Sequence, residues 1–310
     1  MTTKYVYSFG NGTAEGRAEL KDLLGGKGAN LAEMARMGVP VPPGFTIISD
    51  ACNLYLSSNK QLPDELKKQV EEALRALEVT TGLHFGDGEN PLLVSVRSGA
   101  RVSMPGMMDT ILDLGLNEDS VRGLSAKTSN PRFAWDSFRR LIKMYSNVVL
   151  GVPDGVLSNI ENQLKRERNI QLDSQLPAEE LPILAALLRE EVKKFTGREF
   201  PLDPMEQLWN AIEAVFNSWN NPRAVAYREM NEISQQLGTA VTVQTMVFGN
   251  RGDDCGTGVA FSRDPSTGAK ALTGEFLSNA QGEDIVAGTA TPRPVAEMKD
   301  VLPGIYEELE

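Results

Sequence analysis

The sequence predicts an α+β protein in which a helical segment separates a mixed segment from a β-rich one. Three observations support this class. Residues 1 to about 115 combine Gly-rich turns, short apolar strands and helices, whereas residues 116 to 236 carry almost continuous helical periodicity. Residues 237 to 295 contain strand-like runs separated by Gly and Asp turns, which is typical of β-hairpins. Helices are therefore expected to lie between two pieces that contain strands.

The first segment begins with a Gly-rich turn that leads into a helix. The run GGKGANLAEMARMG predicts this turn and a helix that ends near Gly38, since glycine is favoured just after a helix end. The later run LLVSVRS predicts a short strand that turns Val94 and Val96 to one side and Ser95 and Arg97 to the other. One face of this strand is therefore expected to be polar.

The middle and last segments differ in their periodicity. In the middle segment, apolar residues recur at the three- and four-residue spacing of amphipathic helices. Two such faces are formed by Phe138, Leu141, Ile142, Tyr145 and Val149, and by Leu208, Ile212, Val215, Phe216 and Trp219. In the last segment, AVTVQTMVFGN predicts a strand covered on both sides, and GVAFS followed by RDPSTG predicts a second strand and a turn.

Composition and charge argue against membrane and nucleic-acid partners. The hydrophobic fraction of 41% and the charged fraction of 24% are those of an ordinary globular domain. No apolar run approaches the ~18 residues that span a bilayer, and the first residues resemble neither a secretory signal nor a transit peptide. The formal net charge of -11 disfavours binding to phosphate backbones. We therefore expect a cytoplasmic location, no membrane partner and no nucleic-acid partner.

Cysteine and histidine usage limits the chemistry that this chain can carry. Cys52 and Cys255 lie far apart, outside any metal-type spacing, and are expected to be free structural thiols. His84 is the only histidine and stands among Gly and Asp residues, so a surface-loop role is expected. Unless His84 itself serves, a phospho-histidine cannot be part of this chain.

Lys27 is a candidate phosphate ligand. It follows Gly25 and Gly26, precedes Gly28, and stands where a helix begins. Glycines let backbone N–H groups turn toward an anion, and a helix N-terminus adds positive potential. The alternative is a Gly-rich turn with a solvated lysine, and the pattern is not the Walker motif because GK[ST] is absent.

Arg97 is a second candidate phosphate ligand at the end of its predicted strand. An arginine beside a glycine can make a forked contact with phosphate oxygens, and Arg101 follows four residues later. The alternative for Arg97 is a surface salt bridge. The nearby Arg101, Ser98, Gly99 and Ser103 strengthen the functional interpretation, and both interpretations stay open.

The run SMPGMMDT, residues 103–110, predicts a loop rather than a core helix because it contains Pro105 and Gly106. A mobile loop that closes over a substrate would suit this run. Core filling remains the ordinary role of Met107 and Met108. Further along, Glu283 follows a glycine and could bind a ribose hydroxyl or Mg²⁺, or belong to a solvated turn.

Several runs together resemble the pyruvate phosphate dikinase family. They are GGKGANLAEM, LLVSVRSGARVSMPGMMDTILDLGLN, NPRFAWDSFRRLIKMYSNVV, TAVTVQTMVFGN, GTGVAFSRDPSTG and NAQGEDIVAGTATPRP. They extend from about residue 5 to residue 295 in the order that the family shows. The related phosphoenolpyruvate synthases and water dikinases share the Gly-Gly-Lys turn and the strand-end arginine but lack a PGMMDT run of this kind.

The resemblance implies an ATP-grasp-like nucleotide-binding domain of about three subdomains with a helical insertion. Residues 1–115 and 198–240 would form the first lobe, 116–197 a helical subdomain, and 241–310 the second lobe. With Mg²⁺, such a domain transfers the β,γ-pyrophosphoryl group of ATP to a histidine on a separate domain. The complete reaction converts ATP, phosphate and pyruvate into AMP, pyrophosphate and phosphoenolpyruvate. The full-length protein is expected to be a homo-oligomer.

The resemblance also implies site residues. Lys27 and Arg97 match the catalytic ATP phosphate ligands of the family, and Gly106 and Thr110 match its phosphate-covering loop. The matches to the adenine-facing strand and the ribose-contacting acid are Gln244, Met246, Val247 and Glu283. We expect the Mg²⁺ carboxylate to lie beyond Glu310 and the chain to be a fragment that is inactive in the full reaction. Two alternatives remain open, namely a nucleotide-binding fragment without turnover and a phosphoenolpyruvate synthase-like donor domain.

Overall fold

The computed structural model describes residues 3–170, 173–286 and 291–310. Two compact units divide the chain between Met246 and Val247. The strands of the first unit are β1 (Val6–Gly10), β2 (Thr13–Ala14), β3 (Gly44–Ile47), β4 (His84–Phe85), β5 (Pro91–Leu92), β6 (Val94–Gly99), β7 (Thr110–Leu114) and β8 (Ala240–Thr245). Its helices are α1 (Lys21–Arg36), α2 (Ser49–Ser57), α3 (Asp64–Thr81), α4 (Glu118–Thr128), α5 (Pro131–Val148), α6 (Asp154–Glu167), α7 (Glu180–Thr196), α8 (Pro204–Ser218) and α9 (Pro222–Met230).

A six-stranded antiparallel sheet forms the centre of the first unit. Its strand order is β2-β1-β3-β8-β6-β7, and every neighbouring pair runs antiparallel. The separate strands β4 and β5 form a short parallel pair. Helices combined with antiparallel sheets confirm the predicted α+β class.

The strand register separates an apolar face of the sheet from a polar one. Because residues that face each other across strands point to the same side, one apolar row and one polar row can be followed from strand to strand. The apolar row consists of Phe45, Val243, Val96 and Ile111, and the polar row of Thr46, Thr242, Arg97 and Thr110. The predicted alternation of β6 is therefore confirmed. The residues of β8 from Ala240 to Gln244 are buried, as the prediction of a covered strand required.

Helices α4 to α9 confirm the predicted helical segment. A capping box begins α4, in which the Asn117 side chain accepts from Ser120 N at 2.9 Å and Ser120 Oγ accepts from Asn117 N at 2.7 Å. The α5 helix begins at Pro131 behind Asn130, whose side chain accepts from Phe133 N at 3.0 Å. Both starts satisfy backbone N–H groups that the first turn leaves free.

A buried ionic cluster joins α5 to its neighbours. Arg139 on α5 contacts Asp136 at 2.8 Å, Glu161 on α6 at 2.5 Å, and Asp173 in a short 3-10 helix at 3.2 Å. The side chains of Arg139, Asp136 and Glu161 are at most 5% exposed. Lys143 adds a second ion pair to Glu161. The cluster fixes three elements of the helical segment to one another.

The second unit is built on a three-stranded antiparallel sheet. Its elements are β9 (Gly256–Phe261), β10 (Thr273–Ser278), α10 (Gly282–Val286), β11 (Arg293–Pro294), α11 (Met298–Val301) and α12 (Pro303–Leu309). The strand order is β11-β10-β9. The turn before β10 contains Asp264, whose side chain accepts from the backbone N–H groups of Ser266 and Thr267 at 2.8 Å each. The hairpin predicted from GVAFS and RDPSTG is present.

The strand β8 contains residue 241, at which the second lobe was expected to begin. It is hydrogen-bonded to β3 on one edge and to β6 on the other, so it is an interior strand of the first unit. A strand paired on both edges cannot be separated from its sheet without losing both sets of backbone hydrogen bonds. The lobe boundaries stay a prediction.

Candidate functional site

A glycine kink brings the start of α1 against the end of β6. Gly25 has φ 67° and ψ 172°, a conformation that interrupts α1 and is essentially restricted to glycine. A Cβ atom at this position would lie 1.6 Å from the carbonyl oxygen of Gly99. Immediately after the kink, Gly26 N donates to the carbonyl oxygen of Ala100 at 3.0 Å. The predicted Gly-rich turn is confirmed, and it holds the two chain segments in backbone contact.

The same contact places α1 on the polar face of the sheet. A Cβ atom on Gly28 would lie 2.7 Å from Cγ2 of Thr46, so only glycine fits here without displacement of Thr46. A Cβ atom on Gly99 would lie 3.8 Å from Cβ of Lys27. Lys27 is therefore held beside the end of β6, the strand that carries Arg97.

Lys27 and Arg97 form a pair of uncompensated cations. The Lys27 side chain is exposed to solvent but partly enclosed by neighbouring residues. This partial burial lowers the pKa of its amine, and the positive charge of Arg97 lowers that pKa further. Burial also lowers the pKa of Arg97. In the described part of the chain, neither side chain has an ion-pair partner. Two neighbouring cations without a carboxylate are suited to binding an anion.

Arg97 is held by an amide and retains unused hydrogen-bonding capacity. Its Nη2 donates to Oε1 of Gln244, while its buried Nε finds no acceptor among the described residues. Gln244 in turn donates from Nε2 to the carbonyl oxygen of Pro42 at 2.9 Å. An unsatisfied buried donor is costly, so an added acceptor at Nε would be stabilising.

The predicted loop connects β6 to β7. Thr110 is the first residue of β7 and faces Arg97 across the two strands. Gly106 is exposed and has φ +71°, which favours glycine at this turn. Met104 is buried, whereas Met107 and Met108 are half-buried. The loop therefore begins and ends beside the cation pair, and its mobility stays a prediction.

Asp109 attaches the end of this loop to the start of α9. Its carboxylate accepts from Arg223 and, at 3.0 Å, from Nδ2 of Asn221. Arg223 Nε also donates to the carbonyl oxygen of Met107 at 3.2 Å. These bonds fix residues 107–109, the end of the loop, just before β7 begins at Thr110. No local pattern in the sequence indicates this role of Asp109, because its partners lie more than a hundred residues away.

Replacing Asp109 with alanine is expected to accelerate amide hydrogen exchange in residues 103–109 by about tenfold, because hydrogen bonds to a charged group are worth about 1.5–3 kcal/mol. Exchange measured by mass spectrometry on the ligand-free chain checks this. Asp119→Ala is the matched control, since Asp119 makes an exposed ion pair with Arg122 at 2.7 Å. Equal exchange of the loop in both variants would show that Asp109 does not anchor it.

The remaining predicted site residues lie on both sides of the unit boundary. Gln244 is in β8, and Met246 follows that strand with its N–H donating to the carbonyl oxygen of Leu93 at 2.9 Å. Val247 and Glu283 belong to the second unit. There, Val247 accepts from Nε2 of Gln281 at 3.1 Å, and Glu283 lies half-buried in α10. The first unit thus brings Lys27, Arg97, Thr110 and Gln244 to one face of its sheet.

Thr46 and Thr242 also belong to this face and were not predicted as site residues. They face each other across β3 and β8, with their Oγ1 atoms 3.4 Å apart. A signal was present in TVQT, where Thr242 and Gln244 alternate with valine. Polar residues at every second position of a buried strand indicate a polar surface on one side of the sheet.

The other reactive side chains lie outside this face. Cys52 and Cys255 are free, as predicted, and burial raises the pKa of Cys52 to about 11. His84 is exposed in β4. Within the described ranges, no group of three histidine, cysteine, aspartate or glutamate side chains could hold a metal ion. None of the helices described combines the length and apolar character that crossing a membrane requires.

Comparison with known proteins gives a match over most of the chain. The family model described as "Pyruvate phosphate dikinase, AMP/ATP-binding domain" matches residues 21–62 and 57–306. Over 306 residues the chain is 53% identical to "Pyruvate, phosphate dikinase" of Clostridium symbiosum, covering 98% of this chain and 35% of that protein. It is 52% identical over 301 residues to the protein of the same name from Rhizobium meliloti (strain 1021), covering 97% of this chain and 34% of that protein.

A plant relative gives a similar result. The chain is 51% identical over 308 residues to "Pyruvate, phosphate dikinase 1, chloroplastic" of Oryza sativa subsp. japonica, covering 99% of this chain and 32% of that protein. The chain therefore spans about a third of the length of the curated relatives that it matches.

Proposed function

The chain belongs to the family of pyruvate phosphate dikinase AMP/ATP-binding domains, and on this premise we propose that Lys27 and Arg97 bind the phosphate groups of ATP. One observation carries the proposal. The two cations stand side by side without an ion-pair partner in the described residues. A polyphosphate would supply the negative charge that this surface lacks.

Each residue of the site would have a separate task in this proposal. Arg97 would offer its remaining N–H groups to phosphate oxygens in a planar, forked arrangement, while Lys27 would act as a compact charge. The loop that carries Gly106, with Thr110 at its end, would cover the phosphates and exclude water. As the resemblance implies, the backbone from Gln244 to Val247 would face adenine, and Glu283 would bind the ribose.

The activity of the whole protein is also a proposal. We infer that the bound ATP donates its β,γ-pyrophosphoryl group to a histidine on another domain of the same protein, within an ATP-grasp arrangement. In such transfers, positioning and charge stabilisation supply most of the catalysis. The complete reaction is proposed for the whole protein, since the chain spans about a third of the length of the relatives that it matches. The names of the relatives favour this activity over a phosphoenolpyruvate synthase-like donor.

Mg²⁺ and the remaining expectations rest on the resemblance alone. The described residues contain no group of three histidine, cysteine, aspartate or glutamate side chains that could hold a metal ion, and the Mg²⁺ requirement stays a prediction. Homo-oligomerisation and a cytoplasmic location also stay predictions. The name of the rice relative assigns that protein to the chloroplast.

Replacing Lys27 or Arg97 with alanine is expected to raise the dissociation constant for ATP ten- to hundredfold, because a hydrogen bond to a charged group is worth roughly 1.5–3 kcal/mol. Isothermal titration of the chain with ATP measures this. Lys68→Ala and Arg75→Ala are matched controls, since both side chains are exposed and, within the described residues, each pairs with a glutamate on α3. Unchanged affinity in both site variants would contradict the proposed phosphate site.

A further inference from the structure

Gln244 occupies the position beside Arg97 where two other arginines, Arg101 and Arg139, have a carboxylate, whereas buried Arg228 resembles Arg97 in that its Nε donates to the amide oxygen of Gln235. Arg139 is held by Asp136 and Glu161, and Arg101 contacts Asp22 at 2.7 Å. Arg97 is held by a neutral amide instead. We propose that the Gln244 side chain is a positioning residue that orients Arg97 while leaving its positive charge available to a phosphate. This proposal rests on the function proposed above and assigns Gln244 a role that does not involve contact with the nucleotide.

The strand register makes this contact possible. Arg97 faces Thr242 across β6 and β8, and Gln244 stands two residues further along β8 on the same face. Such diagonal neighbours are within reach of long side chains. On the other edge of β8, Gly44 faces Gln244, and a Cβ atom there would lie only 2.8 Å from Cα of Gln244. The absence of a side chain at position 44 therefore leaves room beside Gln244.

The orientation of the Gln244 amide is fixed by its second partner. The carbonyl oxygen of Pro42 can only accept a hydrogen bond, so the NH₂ group of Gln244 must face it. The amide oxygen then points to Nη2 of Arg97. Only 5% of Gln244 is exposed, so water offers no alternative partner. One backbone carbonyl thus determines how Arg97 is held.

A neutral acceptor and a carboxylate would have opposite effects on anion binding. Either one can fix the guanidinium by a hydrogen bond, but a carboxylate would also cancel its charge. With Gln244, the site retains the full charge of Arg97, and the buried Nε still lacks an acceptor within the described residues. The charge of Arg97 also affects Lys27, because it adds to the effect of burial in lowering the pKa of the Lys27 amine. A phosphate would neutralise the positive charge and would supply an acceptor for the Nε of Arg97.

Two substitutions of Gln244 separate orientation from charge. Gln244→Met removes the acceptor and is expected to weaken ATP binding about tenfold through loss of one charge-assisted bond. Gln244→Glu keeps the shape but adds a negative charge, and is expected to weaken ATP binding by a further factor of about ten. Adenosine carries no phosphate, so its affinity should be the same in the parent and both variants. Titration calorimetry of the parent and both variants with ATP and with adenosine measures these affinities.

Gln69 supplies the matched control for these substitutions. Its amide also bridges backbone groups, accepting from Tyr5 N at 2.7 Å and donating to the carbonyl oxygen of Thr3 at 2.8 Å. Gln69→Met and Gln69→Glu should leave ATP binding unchanged. ATP binding by Gln244→Glu that equals the parent, or an equal loss for ATP and adenosine, would overturn the proposal.

The Arg97 side chain reports the contact without any nucleotide. In NMR spectra of the ligand-free chain, rotation of its Nη2 group is expected to be slow in the parent, faster in Gln244→Met and slower still in Gln244→Glu. Identical spectra in all three would overturn the positioning role. Insensitivity of ATP binding to Lys27→Ala and Arg97→Ala would instead contradict the proposed function, a result on which the NMR measurement does not depend.

Discussion

Replacing Gly25 with alanine is expected to destabilise the first unit by about 2–6 kcal/mol and to abolish ATP binding. Two costs add up. The backbone conformation at φ 67° and ψ 172° costs an L-residue about 1–3 kcal/mol. The new Cβ atom would lie 1.6 Å from the carbonyl oxygen of Gly99, so α1 or β6 must move at a further cost of about 1–3 kcal/mol. That movement separates Lys27 from Arg97.

Denaturant unfolding followed by tryptophan fluorescence measures this loss, because Trp135, Trp209 and Trp219 all belong to the first unit. Gly38→Ala is the matched control. Gly38 also has a positive φ, +84°, but a Cβ atom there would have no neighbour within 4 Å. Its replacement should cost only about 1 kcal/mol, the strain of the dihedral angle alone. A loss at Gly25 no larger than that at Gly38 would show that the contact with Gly99 is unimportant.

Replacing Arg139 with methionine is the second change for which a large effect is expected, a loss of about 3–5 kcal/mol. Methionine fills the space but leaves Asp136 and Glu161 buried without their common partner. Arg122→Met is the control, because Arg122 and Asp119 are both exposed and such pairs contribute at most about 1 kcal/mol. Thermal or denaturant unfolding compares the two variants, and equal losses would argue against a structural role of the ionic cluster.

The pH dependence of this effect has a definite sign. Burial by itself would raise the pKa of Asp136, but Arg139 and Arg140 hold it below its usual range. Burial would likewise raise the pKa of Asp173, but Arg139 and Lys165 hold it below its usual range. A carboxylate with a lowered folded-state pKa stabilises the protein above its unfolded pKa, and this contribution is lost as pH falls through the folded value. The difference between parent and Arg139→Met should therefore be largest near neutral pH and shrink as the pH is lowered through the acidic range.

Local sequence patterns were sufficient to single out Lys27 and Arg97, the two cations that the structure places at the same end of the sheet. The glycines around Lys27 indicated a turn that only glycine can make, and the strand-end position of Arg97 followed from simple alternation. Both signals lie within a few residues of the side chain concerned. The α+β class and the helical segment could be predicted for the same reason, because their periodicity is local.

The partners of these residues could not be predicted, because strand pairing over long distances creates them. Gln244 meets Arg97 only because β8 lies between β3 and β6, and Asp109 meets Arg223 only because α9 packs near the loop. The ionic cluster was missed for a related reason. Charges three and four residues apart on α5 have the spacing of ordinary solvent-exposed helical pairs, and only tertiary packing against α6 buries them.

The interior position of β8 has a consequence for how the chain folds. Its neighbours β3 and β6 lie far earlier in the sequence, and the whole helical segment stands between β7 and β8. During synthesis, the strands that precede β8 can form only two separate half-sheets, β2-β1-β3 and β6-β7, with both inner edges unpaired. Closing so long a loop is entropically costly and slows folding. Arg97 is therefore oriented by the amide of Gln244 only after β8, one of the last strands of the first unit, has been made.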